Sequence, residues 1–379
     1  MMNPAWNTTL MTVIFSLPVV TSLICAMIVT IYGREERNLP HALIRTLVAA
    51  FLVSTFLWGC IVLYLQWPIL FVVLQTAFYY ALLILHVLLY RVTYSLTGTG
   101  GKECFSNMHY IVPAIIPAVL LIWSFYVPLD AQLYIVTSRG QAMAGYEAYT
   151  ALFTSKPIGL LLWNITYNLL SFRRIMAYRH VIGNYSADEG RSPVRWIKQM
   201  ILVLLSIIMY PLIAMGMGRT VLFGSLWMIL PSILIVAELI ILCYNIVSEN
   251  YIVITDADEK TDTDRDKAHH INREYFEHYI QTQKPYLNPK LRITDVAADL
   301  HSNRTYVSNF INSEYGMNFS RYINLQRLKE LDLLCLDPKN KIVMGIDLIF
   351  QAGFSTYRGY IRTKTEEDRN RLLKGFEDR

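Results

Sequence analysis

An all-α chain in two parts is predicted, a polytopic seven-helix transmembrane bundle followed by a soluble, all-helical domain. Three observations predict it. Apolar runs of about twenty residues recur through the first two thirds of the chain. The formal charges crowd towards its end. Between Ile293 and Arg327 the pattern is that of a short helix, a tight turn and a longer helix with a polar outer face.

The apolar runs are Leu10–Tyr32, Leu43–Leu65, Pro68–Tyr90, Tyr110–Val127, Ala148–Phe172, Ile197–Gly218 and Leu222–Val247. About twenty helical residues, at a rise of roughly 1.5 Å each, cross a hydrocarbon core of about 30 Å. Only helices and closed barrels satisfy their backbone groups in lipid, and these runs lack the alternation of barrel strands. Lys156 and Pro157 interrupt the fifth run. The first run has no basic leader and exceeds the length of a cleaved signal, so it is expected to stay as a span.

Charge sets the boundary and the orientation. Residues 1–248 carry 14 Lys/Arg and 8 Asp/Glu, a net +6; residues 249–270 carry 3 and 7, a net −4; residues 271–379 carry 17 and 14, a net +3. Basic residues of cytoplasmic loops orient a membrane protein. Alternate connections collect Arg34, Arg37, Arg45, Arg91, Lys102, Arg173, Arg174, Arg179, Arg191, Arg195 and Lys198 on one side, against Arg139, Lys156 and Arg219 on the other. The expectation is therefore a multi-pass protein of the inner (cytoplasmic) membrane, amino terminus outside and carboxyl-terminal domain in the cytoplasm. Outside, only the connection from Pro128 to about Glu147 is long enough to hold a recognition surface. A signal must then be small, membrane-soluble or presented within the bilayer.

Polar residues deep in a span are functional candidates by default. His86, Asn164, Asn168 and Glu238 form that set, with two readings: a polar ligand site, or interhelical hydrogen bonds in which His86 or an Asn satisfies Glu238. Gly98-Thr99-Gly100-Gly101-Lys102 lacks the first glycine and the Ser/Thr of a phosphate loop. The five cysteines, Cys25, Cys60, Cys104, Cys243 and Cys335, follow neither zinc nor disulfide spacing. No nucleophile elbow, HExxH or kinase signature is present, so neither an enzyme nor a cofactor is expected.

Residues 251–269 form an acidic linker, with Thr255–Lys267 polar and without hydrophobic period. The domain 270–379 follows. Thr294 is placed to cap a helix over Asp295–Leu300, whose apolar positions are Val296, Ala297 and Leu300. After a break at His301-Ser302 comes a helix over Asn303–Tyr315, with Tyr306, Val307, Phe310 and Ile311 inward and Gly316 as its left-handed stop. This is the helix-turn-helix arrangement. Arg304, Thr305, Ser308 and Asn309 are left facing outward, with donors and acceptors suited to base edges and phosphates.

The runs KPYLNPKLRITDVAADL, SNRTYVSNFINSEYGMNF and SRYINLQRL, the last with Arg327, resemble the AraC-type (AraC/XylS) family of bacterial transcription regulators. That resemblance implies two helix-turn-helix units joined by a long connector, here Phe319 to about Leu336, with a second recognition helix after Gly353-Phe354. It implies Tyr357, Arg358 and Arg362 as further DNA-facing residues and Tyr360 as an apolar anchor. The second unit departs from the family: Ile349 stands for a small Ala, Lys364 for a buried Phe, and a charged helix replaces the closing segment. The functional expectation is a membrane-embedded one-component regulator that binds promoter DNA as a homodimer under the control of a small or membrane-soluble signal. The alternative is a membrane signalling adaptor whose degenerate domain binds a protein.

Overall fold

The computed structural model describes residues 4–35, 41–98, 104–138, 140–187, 196–199, 229–249, 251–252 and 271–377. Nearly all of these are helical, and no strand occurs among them beyond one isolated bridge. The chain divides into two compact units. The first comprises Met1–Leu96, Cys104–Ile175 and Val194–Glu249; the second comprises Thr97–Glu103, Met176–Pro193 and Asn250–Arg379. The sixth apolar run beyond Gln199, the start of the seventh, and linker residues 253–270 lie outside the described residues.

In the first unit α1 is Pro4–Glu35, α2 His41–Gln66, α3 Pro68–Leu96, α4 Ile115–Ser124, α5 Leu129–Thr137, α6 Glu147–Tyr185, which passes into the second unit at Met176, and α7 Ile229–Val247. The helix Thr9–Arg34 within α1, together with α2, α3 and α7, makes four that are long and apolar enough to cross a membrane. α1 packs against α2 and α7, α2 against α3, and α3 against α4 and α5. Small residues allow the close approaches that lipid-embedded helices use. A Cβ on Gly33 would meet Ile44, and one on Gly159 would meet the Tyr79 hydroxyl at 2.9 Å.

Two apolar runs differ from expectation. Tyr110–Val127 is no single straight helix: a turn of helix at Met108–Ile111 passes through a 3₁₀ segment, Val112–Ala114, into the ten residues of α4. Pro113 and Pro117 remove two helical N–H donors within one stretch, which loosens the ladder there. The connection expected to be loop contains α5, and the fifth helix continues to Tyr185 instead of ending near Phe172. The onset of basic residues at Arg173 marks a change of surroundings, whereas the backbone stays helical.

The second unit contains α8 Arg273–Gln283, α9 Ile293–Asp299, α10 Arg304–Tyr315, α11 Phe319–Leu336, α12 Gly345–Gln351 and α13 Tyr357–Glu377. Asparagines start three of them. Asn272, Asn303 and Asn318 each accept a backbone N–H three residues on, at 2.7, 2.8 and 2.9 Å, the N-cap arrangement. α9 begins differently from expectation: Thr294 lies inside the helix, and the Asp295 carboxylate accepts from the Arg292 N–H at 2.9 Å. Asp outcompetes Thr here because its charged acceptor reaches back from the third helical position.

Candidate functional site

α9 ends in a Schellman turn. The Ser302 N–H donates to the Ala297 carbonyl at 2.8 Å and the His301 N–H to the Ala298 carbonyl at 3.1 Å, with His301 left-handed at φ 48°. α12 ends the same way. Phe354 N–H donates to Ile349 O at 3.3 Å, Gly353 N–H donates to Phe350 O at 3.0 Å, and Gly353 has φ 95°. Each turn leads into a longer helix, α10 or α13, and α11 lies between the two turn-and-helix segments. Ile349 and Ala297 thus hold equivalent positions, and both are buried. The larger Ile349 packs with Leu331, Leu348, Ala352 and Phe354.

On α10, Val307 and Ile311 are buried, and Phe310 meets Phe276 at 5.1 Å between ring centroids. Thr305 and Asn309 are exposed, Arg304 and Ser308 half-exposed, and all four share one side of the helix. Tyr306, expected inward, is 59% exposed. It precedes Val307 by one position, a rotation of about 100°, which carries it out of the core towards that polar face. On α13, Tyr357, Arg358 and Arg362 are exposed, while Tyr360 packs against Phe354 at 5.7 Å. Arg362 pairs with Glu366 at 3.2 Å across one turn. Lys364 is exposed, its Nζ 3.3 Å from the Tyr360 hydroxyl.

Arg327 faces no solvent; it is 1% exposed. Its Nε donates to Tyr286 O and Nη2 to Asn288 O, both at 2.7 Å. Nη1 donates to Asn324 Oδ1 at 2.9 Å and to Ala187 O at 3.2 Å. The guanidinium also lies 6.0 Å from the Phe354 ring centroid. Five N–H donors in a fixed planar fork let one side chain tie two backbone segments, at 286–288 and at Ala187, to α11. The segment around Ala187 is held further, since Ala187 N–H donates to Leu291 O at 3.2 Å and Ser186 forms a bridge with Arg292. Nearby, Glu330 accepts from Lys284 at 2.8 Å and from the Tyr286 hydroxyl at 2.9 Å.

Burial and the neighbouring Asp299, which accepts from the Tyr279 hydroxyl at 2.6 Å, push that phenol well above its ordinary range. Burial and Glu330 raise Tyr286 in the same way, and burial and Tyr315 raise Tyr322. Neutral phenols are thus part of the fold around α10.

In the membrane-like unit, three of the four expected polar residues come together. The Asn164 amide lies 2.9 Å from His86 Nε2, Asn168 donates to Asn164 Oδ1 at 2.7 Å, and His86 Nδ1 takes the Leu82 carbonyl at 2.8 Å. Glu238 is apart from them. It is 5% exposed, and neither carboxylate oxygen has a hydrogen-bond partner among the described residues. The expected satisfaction of Glu238 by His86 or an Asn is therefore absent, because His86 spends both ring nitrogens on Leu82 and Asn164.

No protein-family model matches this chain, and neither the curated proteins nor the solved structures contain a match.

Proposed function

We propose that this chain is a membrane-embedded one-component transcription regulator of AraC type. In this reading the apolar part spans the inner membrane seven times, and the second unit binds promoter DNA from the cytoplasmic side as a homodimer. The observation that carries it is the repeated Schellman turn at His301 and Gly353. Each turn is followed by a helix whose first turns present polar or basic side chains, and a buried connector joins the pair. Two such units reading successive major-groove faces is an established docking geometry for helix-turn-helix proteins. Control by a signal sensed in or through the membrane part accounts for the remaining two thirds of the chain.

Genome-wide mapping of DNA bound by the full-length protein in cells tests the reading. Enrichment at a few promoters is expected, together with binding in vitro that weakens steeply with salt. Uniform background occupancy, with the protein folded and abundant, would falsify it.

One observation favours a second reading, the membrane adaptor. Ile346 and Phe350 lie on one face of α12 at i and i+4 and are 43% and 45% exposed. Apolar exposure of that kind fits a protein partner. Copurification of another protein, lost on Phe350→Ser while DNA binding was never detected, would select the adaptor.

A further inference from the structure

Lys156 has no matching charge beside it among the described residues. It sits on α6 nine residues after Glu147, roughly 14 Å along the helix axis. Its Nζ donates to Gln75 Oε1 at 3.4 Å and lies 4.2 Å from the Phe153 ring centroid and 5.6 Å from that of Tyr79. No ion pair joins it to any described carboxylate. Residues 37–102, 148–187 and 199–237 contain no Asp or Glu at all. Asp130 and Glu147, the acids nearest in sequence, are both exposed, and Glu147 accepts from the Gly145 N–H.

The groups beneath Lys156 are fixed by a one-way chain of hydrogen bonds. Gln75 donates to Gln132 Oε1 at 2.9 Å and to the Tyr149 hydroxyl at 3.4 Å. Gln132 then donates to Ser124 O at 2.8 Å and Val127 O at 2.9 Å, carbonyls at and just beyond the end of α4. Both amides are buried, 3% and 7% exposed. Among the described residues this orientation leaves Gln75 Oε1 as the single acceptor offered to the ammonium, which has three donors. Two of them remain for something else. Beside the carbonyls that Gln132 holds, Phe125 and Tyr126 are 80% and 79% exposed, an apolar flank for a ligand with a hydrocarbon portion.

We propose that Lys156, held in place by Gln75, Gln132 and Tyr149, recognises the carboxylate of an amphiphilic molecule, and that this is the signal of the regulator. The assignment of a signal rests on the function proposed above; the binding itself does not. A charge-assisted hydrogen bond in a poorly solvated site supplies the affinity, and the aromatic faces hold the ammonium in place when the site is empty. A free acid and the serine headgroup of a lipid offer the same carboxylate, so both sources need testing.

The full-length protein is placed in phosphatidylcholine nanodiscs and titrated with hexanoate, with hexanamide as the uncharged control. In a parallel arm the nanodiscs contain phosphatidylserine. Calorimetric binding and the shift in melting temperature are read without DNA. Hexanoate or phosphatidylserine should bind and stabilise the wild type, while hexanamide does not. Lys156→Met should weaken that binding by about 10- to 100-fold, and Lys156→Arg should retain most of it. Gln75→Glu keeps Lys156 but supplies an internal carboxylate, so it should abolish binding even if Lys156→Met fails to fold. The proposal is overturned if neither source binds, or if Gln75→Glu binds as the wild type does. Carboxylate binding without any DNA binding would sustain this site and reject the regulator.

Discussion

The Ser232 hydroxyl donates to the Ile14 carbonyl at 2.9 Å. That carbonyl is the one Pro18 leaves without a helical partner, since proline at i+4 brings no N–H. A kink-forming residue on α1 is thus answered by a hydroxyl on α7. Ser232→Ala should destabilise the first unit by about 1–2 kcal/mol, the cost of a buried acceptor left unmade. In the Pro18→Ala background the same change should cost much less, because the helix then satisfies itself. A double-mutant cycle of melting temperatures in detergent reads the coupling, and additive effects would show that the bond contributes nothing.

Arg327→Met should lower the stability of the second unit by about 3 kcal/mol or more, with several buried carbonyls losing their donor together. Arg327→Lys should rescue only a small part, since an ammonium lacks the planar fork. Denaturant unfolding of the full-length protein, followed by limited proteolysis between α8 and α13, measures both. Equal stability of the Lys variant and wild type would contradict the geometry.

Alanine at Arg304, Thr305, Ser308 or Asn309 should erase preference for a target promoter before it erases binding to unrelated DNA. The largest single loss is expected at Arg304, about 1–3 kcal/mol of discrimination. Competition assays at fixed salt separate the two. Arg358→Ala should instead weaken all sequences alike, as loss of a phosphate contact does.

Tyr279, Tyr286 and Tyr322 are all held neutral by the fold, their folded pKa values above those of the unfolded chain. Stability from them is fully present below about pH 10, the unfolded value, and is lost as pH rises through the folded ones. Melting of the second unit should fall steeply above about pH 10, with Tyr279→Phe flattening the decline. A flat profile through that region, by circular dichroism, would contradict the burial of these phenols.

His301 and Gly353 occupy equivalent left-handed positions but should respond differently. His301→Gly relieves a side chain from φ 48° and should be neutral or stabilising by up to about 1 kcal/mol. Gly353→Ala places a Cβ 2.3 Å from the Tyr286 carbonyl oxygen, so it should destabilise by about 2 kcal/mol or more, through left-handed strain together with displaced backbone. Thermal denaturation of the two variants side by side reads the contrast.

The long apolar helices and the Gly316 stop were legible because each follows from local chemistry, hydropathy in one case and a residue without Cβ in the other, while the helix Phe319–Leu336 was expected from the family resemblance. Features that depend on a distant partner were not. Nothing local says that Glu238 and His86 fail to meet, that Tyr306 turns outward, or that Asp295 displaces Thr294 as the cap. Residues 129–137 were read only as part of a connection between spans, although they form a helix in which Gln132 is buried by the carbonyls of Ser124 and Val127. Lys156 was legible only as an interruption, because the amides beneath it, Gln75 and Gln132, come from two other helices.

The Tyr286 carbonyl receives Arg327 from one side and is approached by Gly353 from the other. In a growing chain the turn at Tyr286 therefore cannot reach its final packing before Gly353 has been made. The core around Tyr286 stays open until Gly353 and Phe354 have left the ribosome, some 67 residues later. Premature termination anywhere before that point should yield a fragment handled as misfolded, and a translational pause would be tolerated only beyond it.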